Sequence, residues 1–206
     1  MLKVWGRKNS TNVKKALWCA EELNLHYEHI PAGGAFGVVD DPTFRKLNPN
    51  GLVPVIEDDG LVLWESNAIV RYLGSKYGDG EFYAADPAKR ARADRWMDWT
   101  TSRVATPFRD IFWNMVRTPE EQRDMAAIEK GIQACGALFA IADAALSEED
   151  YLSGPKLGMG DIPLGCFIYA WFEMPIERPH LPGLARWYAR LKERPAYQQA
   201  VMTELT

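Results

Sequence analysis

Two short stretches of this chain carry residues able to bind and polarise a small ligand. GRKNSTNV, residues 6–13, separates a short β-rich run from a helical pattern. Ser10, Thr11 or Asn12 could cap that helix. The same junction offers free N–H groups and the positive end of a helix dipole to an anion. No His or Asp stands nearby to make a serine nucleophile, so a hydroxyl here suits stabilisation of a thiolate or carboxylate. NPNGLVPVIEDDGLVLWES, residues 48–66, is the second stretch. Val53, Val55, Leu61 and Leu63 read as a hairpin turning at Asp59-Gly60, with Pro54 near its start. Pro54 taken alone marks an edge. Ser66 reads as the cap of the next helix, without a full capping box because Ile69 holds the third place. The hairpin folds Pro54 back towards Ser66.

Other site types are missing from the sequence. There is no phosphate-binding glycine motif, since Gly33, Gly34 and Gly37 have the wrong spacing. His26 and His29 are three apart in a strand-like run, on opposite faces, so no metal is expected. Glu148-Glu149-Asp150 reads as a solvated acidic loop. Trp96, Trp99, Phe108, Phe112 and Trp113 follow helical spacing, which suits a core and could also wall a pocket. The three cysteines, Cys19, Cys135 and Cys166, are widely spaced and include no CxxC. That argues against a disulfide framework and for a reducing cytoplasm. A net charge of −4 argues against nucleic acid or an anionic membrane as the main partner. The uncharged run over 162–172 is too short to span a bilayer, and MLKVWGRKNS carries no signal-peptide pattern.

The elements that must hold these residues change character near residue 80. Before it, LKVW and LHYEHI read as strands around the helical VKKALWCAEEL. The Gly-rich AGGAFGVVDDP reads as a loop, the hairpin follows, and SNAIVRYLGSKYG reads as a helix. The order β-α-β-loop-β-β-α favours a parallel first pair and an antiparallel hairpin. After Asp86-Pro87 the pattern is helical throughout. Val104, Phe108, Ile111, Phe112 and Met115 form one stripe, with Pro107 expected to kink it. A helix beginning at Thr118-Pro119-Glu120-Glu121 carries a seam of Met125, Ile128, Ile132, Cys135, Phe139, Ala142 and Leu146. Further helices are expected over 161–173, 183–192 and 195–203. The reading is an α/β domain over 1–80, a linker near 78–86, and an all-α domain over 87–206.

NPNGLVPVIEDDGLVLWESNAIVRYL closely resembles the glutathione-binding half of cytosolic glutathione S-transferases, where a VP step, a hairpin and an ES pair recur in this order. GRKNSTNVKKALWCAEEL is similar to the family's first loop and helix, and LPGLARWYARLKERPAYQQAV to its closing helices. The resemblance implies a thioredoxin-like N-terminal domain, an all-helical C-terminal domain and a homodimer. It implies glutathione as co-substrate, no metal, and conjugation of the glutathione thiolate to small apolar electrophiles. Ser10 aligns with the catalytic serine of the theta- and delta-like classes, donating to the glutathione sulfur. Asn12, Leu52, Val53, Pro54, Glu65 and Ser66 become the glutathione contacts. Pro54 is then a cis-proline, shaping an edge on which the Val53 backbone pairs with the cysteinyl backbone. Glu65 takes the γ-glutamyl ammonium and Ser66 the neighbouring carboxylate. Phe108, Phe112 and Trp113 become walls of an electrophile pocket. Leu52 stands where the family often has a basic or polar residue, leaving Lys14, Lys46 or Arg103 as candidates for the glycyl carboxylate. The family's S/T-x-x-D cap is here Gly158-Met159-Gly160-Asp161. STN is also similar to the T-P-N of a bacterial nu-like class, which admits glutathione-dependent disulfide reduction through Thr11 or Asn12. A non-catalytic binding protein of the same fold is the remaining alternative.

Overall fold

Apolar β-branched runs and an amphipathic helix build the first layer. A computed structural model describes residues 1–206. In it LKVW forms β1 (Leu2–Trp5), α1 spans Thr11–Glu22, and YEHI forms β2 (Tyr27–Ile30). β2 lies parallel to β1, Leu2 opposite Tyr27, as a helical crossover requires. The hairpin is β3 (Val55–Asp58) and β4 (Leu61–Trp64), antiparallel with Val55 opposite Trp64. The sheet order is β2-β1-β3-β4, so β4 is an edge. Val53 and Pro54 precede the strand instead of opening it. α3 (Ser66–Tyr77) packs on α1, burying Leu17, Ala20, Ile69 and Leu73.

A short helix, α2 (Pro42–Leu47), lies where the sequence reading had only loop. Asp41-Pro42 carries the same cap-then-proline signature as Asp86-Pro87, but six residues are too few for periodicity to register. Phe44 of α2 is buried with Ala32 and Val55, against Trp5 and Val53. At the hairpin tip Asp58 accepts hydrogen bonds from Tyr72 (2.8 Å), Tyr77 (2.7 Å) and Lys76 (2.8 Å) of α3. Burial raises its carboxyl, and those donors outweigh burial to hold it below the usual carboxylate range.

The chain clusters into two units, Met1–Ala84 with Arg194–Glu204, and Ala85–Glu193 with Leu205–Thr206. The closing helix, α9 (Pro195–Ala200), therefore belongs with the sheet, whereas the sequence reading gave residues 87–206 to the helical domain. Its anchors are explicit. Tyr197 meets Trp18 edge-on at 4.8 Å, and Arg194 grips Glu22 through two bonds of 2.8 and 2.6 Å.

The second unit is helical. α4 (Pro87–Trp99) starts on Asp86, whose carboxylate accepts from the Lys89 N–H. It runs through a π turn (Thr100–Val104) into α5 (Ala105–Phe112), and a second π turn (Trp113–Arg117) follows. Pro107 thus sits just past a widened turn, which relieves the clash a proline ring makes with the carbonyl four residues back. α6 begins at Met125, later than expected, on an Asp124 cap that accepts from the Ala127 N–H. Residues 120–122 form only a 3-10 turn. Ile128, Cys135, Phe139, Ala142 and Leu146 are its buried seam, while Met125 is 65% exposed. Gly131 lets α6 approach α5, since a Cβ there would lie 2.6 Å from Ile111. α6 is long and apolar enough to cross a membrane by length and composition, with mean hydropathy 1.3 over its most apolar window.

α7 (Asp161–Glu173) and α8 (Pro182–Lys192) complete this unit. Asp161 is fully buried. Its Oδ1 accepts from the Leu152 N–H and Trp187 Nε1, and its Oδ2 from the Ser153 and Gly158 N–H groups. Gly158 has no side chain to complete the reciprocal cap. Ser153 Oγ takes that part from a neighbouring turn, accepting from the Gly160 N–H at 3.1 Å.

Candidate functional site

Asn48 builds the loop in front of β3. Its Oδ1 accepts from the Asn50 N–H (3.0 Å) and Nδ2 (2.9 Å), and its own Nδ2 donates to the Leu52 carbonyl at 2.8 Å. Such Asx bonding lets a polar side chain replace a backbone partner. Gly51 follows at φ 63°, with the Arg45 guanidinium so close that a Cβ would lie 2.5 Å from Cζ. A larger residue would push that guanidinium aside and be strained at this φ. The turn delivers Leu52 and Val53 to a cis Val53–Pro54 peptide, the isomer the resemblance implies.

A small cleft opens there, lined by Asn48, Asn50, Leu52, Val53 and Pro54 on one side. Asn12, Glu65 and Ser66 line the other. Six of the seven residues singled out from the sequence therefore share one cavity, within the first unit. Ser10 is not in that lining. It stands two residues before Asn12, at the cap position of α1. Its hydroxyl makes no cap hydrogen bond, and the first turn of α1 carries no acidic residue. The positive end of this helix is left uncompensated beside a free hydroxyl.

Glu65 occupies the cap position of α3, with Ser66 one step inside the helix, so the cap lies one residue earlier than the sequence reading placed it. Glu65 takes φ 73°, ψ 109° and is exposed, while Ser66 is 7% exposed. A non-glycine residue at such an angle is strained by about 1–3 kcal/mol. In this conformation Glu65 lines the cleft. The first turn of α3 also lacks an acidic residue and a side-chain cap, and a helix start of that kind suits a carboxylate.

Asn48 and Asn50 were missed as site residues. The signal available was the Asn-Pro-Asn-Gly turn signature, which marks a loop without saying what the loop faces. Among the basic candidates for the glycyl carboxylate, Lys14 is buried and donates to the Val201 carbonyl at 2.9 Å. Lys46 and Arg103 are exposed. In the helical unit Phe108 is buried edge-on against Phe167 at 5.1 Å and stacked on Phe112 at 6.4 Å. Phe112 is half-buried, and Trp113 is 53% exposed beneath the Arg117 guanidinium at 4.9 Å. No group of three His, Cys, Asp or Glu residues is arranged to hold a metal. The cysteines are buried and form no disulfide, and burial raises the Cys19 and Cys135 thiols, Cys135 to about 12.

A sheet of this order with a cis-proline before its third strand, an ES pair at a helix start and a helical second unit defines a class of protein. Residues 1–75 match the family described as "Glutathione S-transferase, N-terminal domain", and residues 104–195 match "Glutathione S-transferase, C-terminal domain". The chain is 48% identical over 204 residues to "Glutathione S-transferase GstB" of Escherichia coli (strain K12), covering 98% of each. It is similar to the solved theta class glutathione S-transferase of Xanthomonas axonopodis pv. citri with glutathione bound. That likeness has a TM-score of 0.97 and 61% identity over 100% of this chain and 99% of the other. The apo form of the Xanthomonas protein aligns with a TM-score of 0.87 and 56% identity over 100% and 98%. The chain belongs to the glutathione S-transferase family.

Proposed function

We propose that this protein is a glutathione transferase that activates the glutathione thiol through Ser10 and conjugates it to small apolar electrophiles. The observation that carries this is the uncommitted Ser10 hydroxyl at the start of α1, two residues from a cleft holding Asn12, Val53, Glu65 and Ser66. In this reading the Val53 backbone pairs with the cysteinyl unit as an added strand. Glu65 accepts from the γ-glutamyl ammonium, and Ser66 donates through its N–H and hydroxyl to the adjacent carboxylate. Pro54 shapes the edge, and Leu52 covers it. The sulfur then lies at the α1 terminus, where the hydroxyl and helix dipole favour the anion. Each unit by which the thiol pKa falls is about 1.4 kcal/mol of preference for thiolate. The thiolate attacks the electrophile and the leaving group departs; Ser10 forms no covalent bond.

Ser10→Ala tests this directly. The expected result is at least about a tenfold loss in kcat/KM with 1-chloro-2,4-dinitrobenzene, and a bound-thiol pKa raised by about one unit in thiolate absorbance. Unchanged values would remove Ser10 as the donor. Asn12 lines the cleft, which supports the disulfide-reductase alternative. Turnover of bis(2-hydroxyethyl) disulfide by Asn12→Ala and Ser10→Ala, measured beside the aryl halide, separates the two reactions. Phe112 and Trp113 are the accessible aromatics offered for the electrophile, with Phe108 supporting them from the core. A homodimer is part of the proposal, supported by the edge strand β4 with Leu61, Val62 and Trp64 each 37–38% exposed. Buried cysteines without a disulfide suit a reducing cytoplasm.

A further inference from the structure

α1 carries two adjacent buried lysines, Lys14 at 4% and Lys15 at 2% exposure. Lysine is almost never fully buried without a specific partner. Neighbouring residues on a helix leave it in different directions, and these two diverge. Lys14 donates to the Val201 carbonyl at 2.9 Å, a contact with the end of α9. Lys15 Nζ instead reaches α3, 3.4 Å from Ser66 Oγ. Ser66 Oγ in turn donates to Asn12 Oδ1 at 3.3 Å. A relay from Lys15 through Ser66 to Asn12 therefore ends on two residues that line the cleft.

The chemistry of the donors fixes the sense of this relay. An ammonium has hydrogens and no acceptor. Ser66 Oγ must therefore accept from Lys15, and its single proton points to Asn12 Oδ1 at the cleft, from where it can turn to an incoming carboxylate while Lys15 stays behind it. An anion seated on Ser66 would also lie within about 6 Å of the ammonium, given a hydrogen bond of ordinary length. Little water separates them, because Lys15 and Ser66 are both buried. The helix terminus alone would favour any anion, whereas the lysine adds a full charge at one point.

We propose that Lys15 is a positioning residue that makes the site select a γ-glutamyl group carrying a free α-carboxylate. This rests on the reading that Ser66 receives that carboxylate. Lys15 touches no substrate; it sets the direction of the Ser66 hydroxyl and supplies the charge behind it.

The test compares two ligands on the full-length protein by titration calorimetry. One is glutathione, and the other is 4-aminobutanoyl-cysteinylglycine, which lacks only the α-carboxylate. The wild-type protein is expected to prefer glutathione by about tenfold or more, as befits charge-assisted bonds. Lys15→Met, close in shape and without charge, is expected to lose most of that preference. Its glutathione affinity should fall by about tenfold while analogue affinity stays within about twofold. Its kcat at saturating glutathione should hold within about twofold, so that KM carries the effect. An equal loss for both ligands indicates a merely structural role and overturns the proposal, as does an unchanged preference. If Lys15→Met does not fold, Lys15→Gln and Lys15→Arg replace it, with the preference lost in the first and kept in the second. A wild-type protein that binds both ligands equally overturns the placement of the carboxylate on Ser66 itself, a result distinct from failure of Lys15 alone.

Discussion

Glu65 is where single-residue strain and ligand chemistry meet. Its φ of 73° is one that glycine adopts freely. Glu65→Gly is therefore expected to stabilise the fold by roughly 1 kcal/mol, the released strain less the entropy glycine brings. The same change removes the proposed ammonium acceptor, so glutathione affinity should fall by about tenfold or more. Urea unfolding and calorimetry on one preparation check both signs. A variant that is less stable than wild type would show that the angle is not strained. Residue types made much of this site legible from the sequence. Ser10, Val53, Pro54, Glu65 and Ser66 were picked out by the order in which the resembling family carries them, and all but Ser10 line the cleft. The role of Lys15 was not legible, since a lysine pattern on a helix says nothing about which neighbour it will meet.

Asp161 and its turn govern the helical element α7. Burial raises its carboxyl to about 6, against the pull of Ser153 and of the Gly158, Leu152 and Ser153 N–H groups. The folded state thus holds a proton that the unfolded chain releases near the ordinary carboxylate value. Unfolding free energy should fall as pH rises from about 4 to about 6 and then level off. Comparing urea midpoints of wild type and Asp161→Asn across that range isolates this slope, which the asparagine cannot show. At neutral pH the asparagine should be less stable by about 2–4 kcal/mol. Its NH2 group would face the Ser153 and Gly158 N–H donors and leave them unpaired. Ser153→Ala should cost about 1 kcal/mol through the lost acceptor for the Gly160 N–H. The sequence exposed the missing cap hydroxyl at Gly158, but the substitute came from a turn outside the motif. Trp96, with its indole N–H buried and unpartnered, offers the opposite case: Trp96→Phe removes an orphan donor at the expense of some packing.

At the scale of the whole molecule the return of the chain to the sheet unit is decisive. Arg194–Glu204 joins Met1–Ala84, covering Trp18 with Tyr197 and pairing Arg194 with a Glu22 carboxylate only 7% exposed. Truncation after Glu193 should therefore destabilise the sheet unit by at least about 3 kcal/mol, because it strands a buried charge and bares an indole. Hydrogen exchange at the α1 amides should rise more than at those of α6; equal protection in both chains would contradict the assignment. Assembly gives a second check. Trp64→Lys on edge strand β4 should shift the solution mass from dimer to monomer by light scattering, as an inserted charge disfavours a buried edge. A wild-type mass of one chain would rule out the proposed homodimer.

By itself the sequence determined the local elements, and its resemblance to a known family supplied the ligand proposed for the first half. Strand period, helix period, caps and turn residues act over a few neighbours, so LKVW, VKKALWCAEEL and the Asp59-Gly60 hairpin could be read directly. α2 and the true start of α6 escaped because six residues or one misplaced turn leave too little periodic signal. The tertiary structure alone decided three things. It put Phe108 in a core and left Trp113 open, it took α9 to the sheet unit, and it sent Lys14 and Lys15 to different partners. Each depends on contacts between residues far apart in the chain, and burial, unlike helix propensity, is not a property of a short stretch.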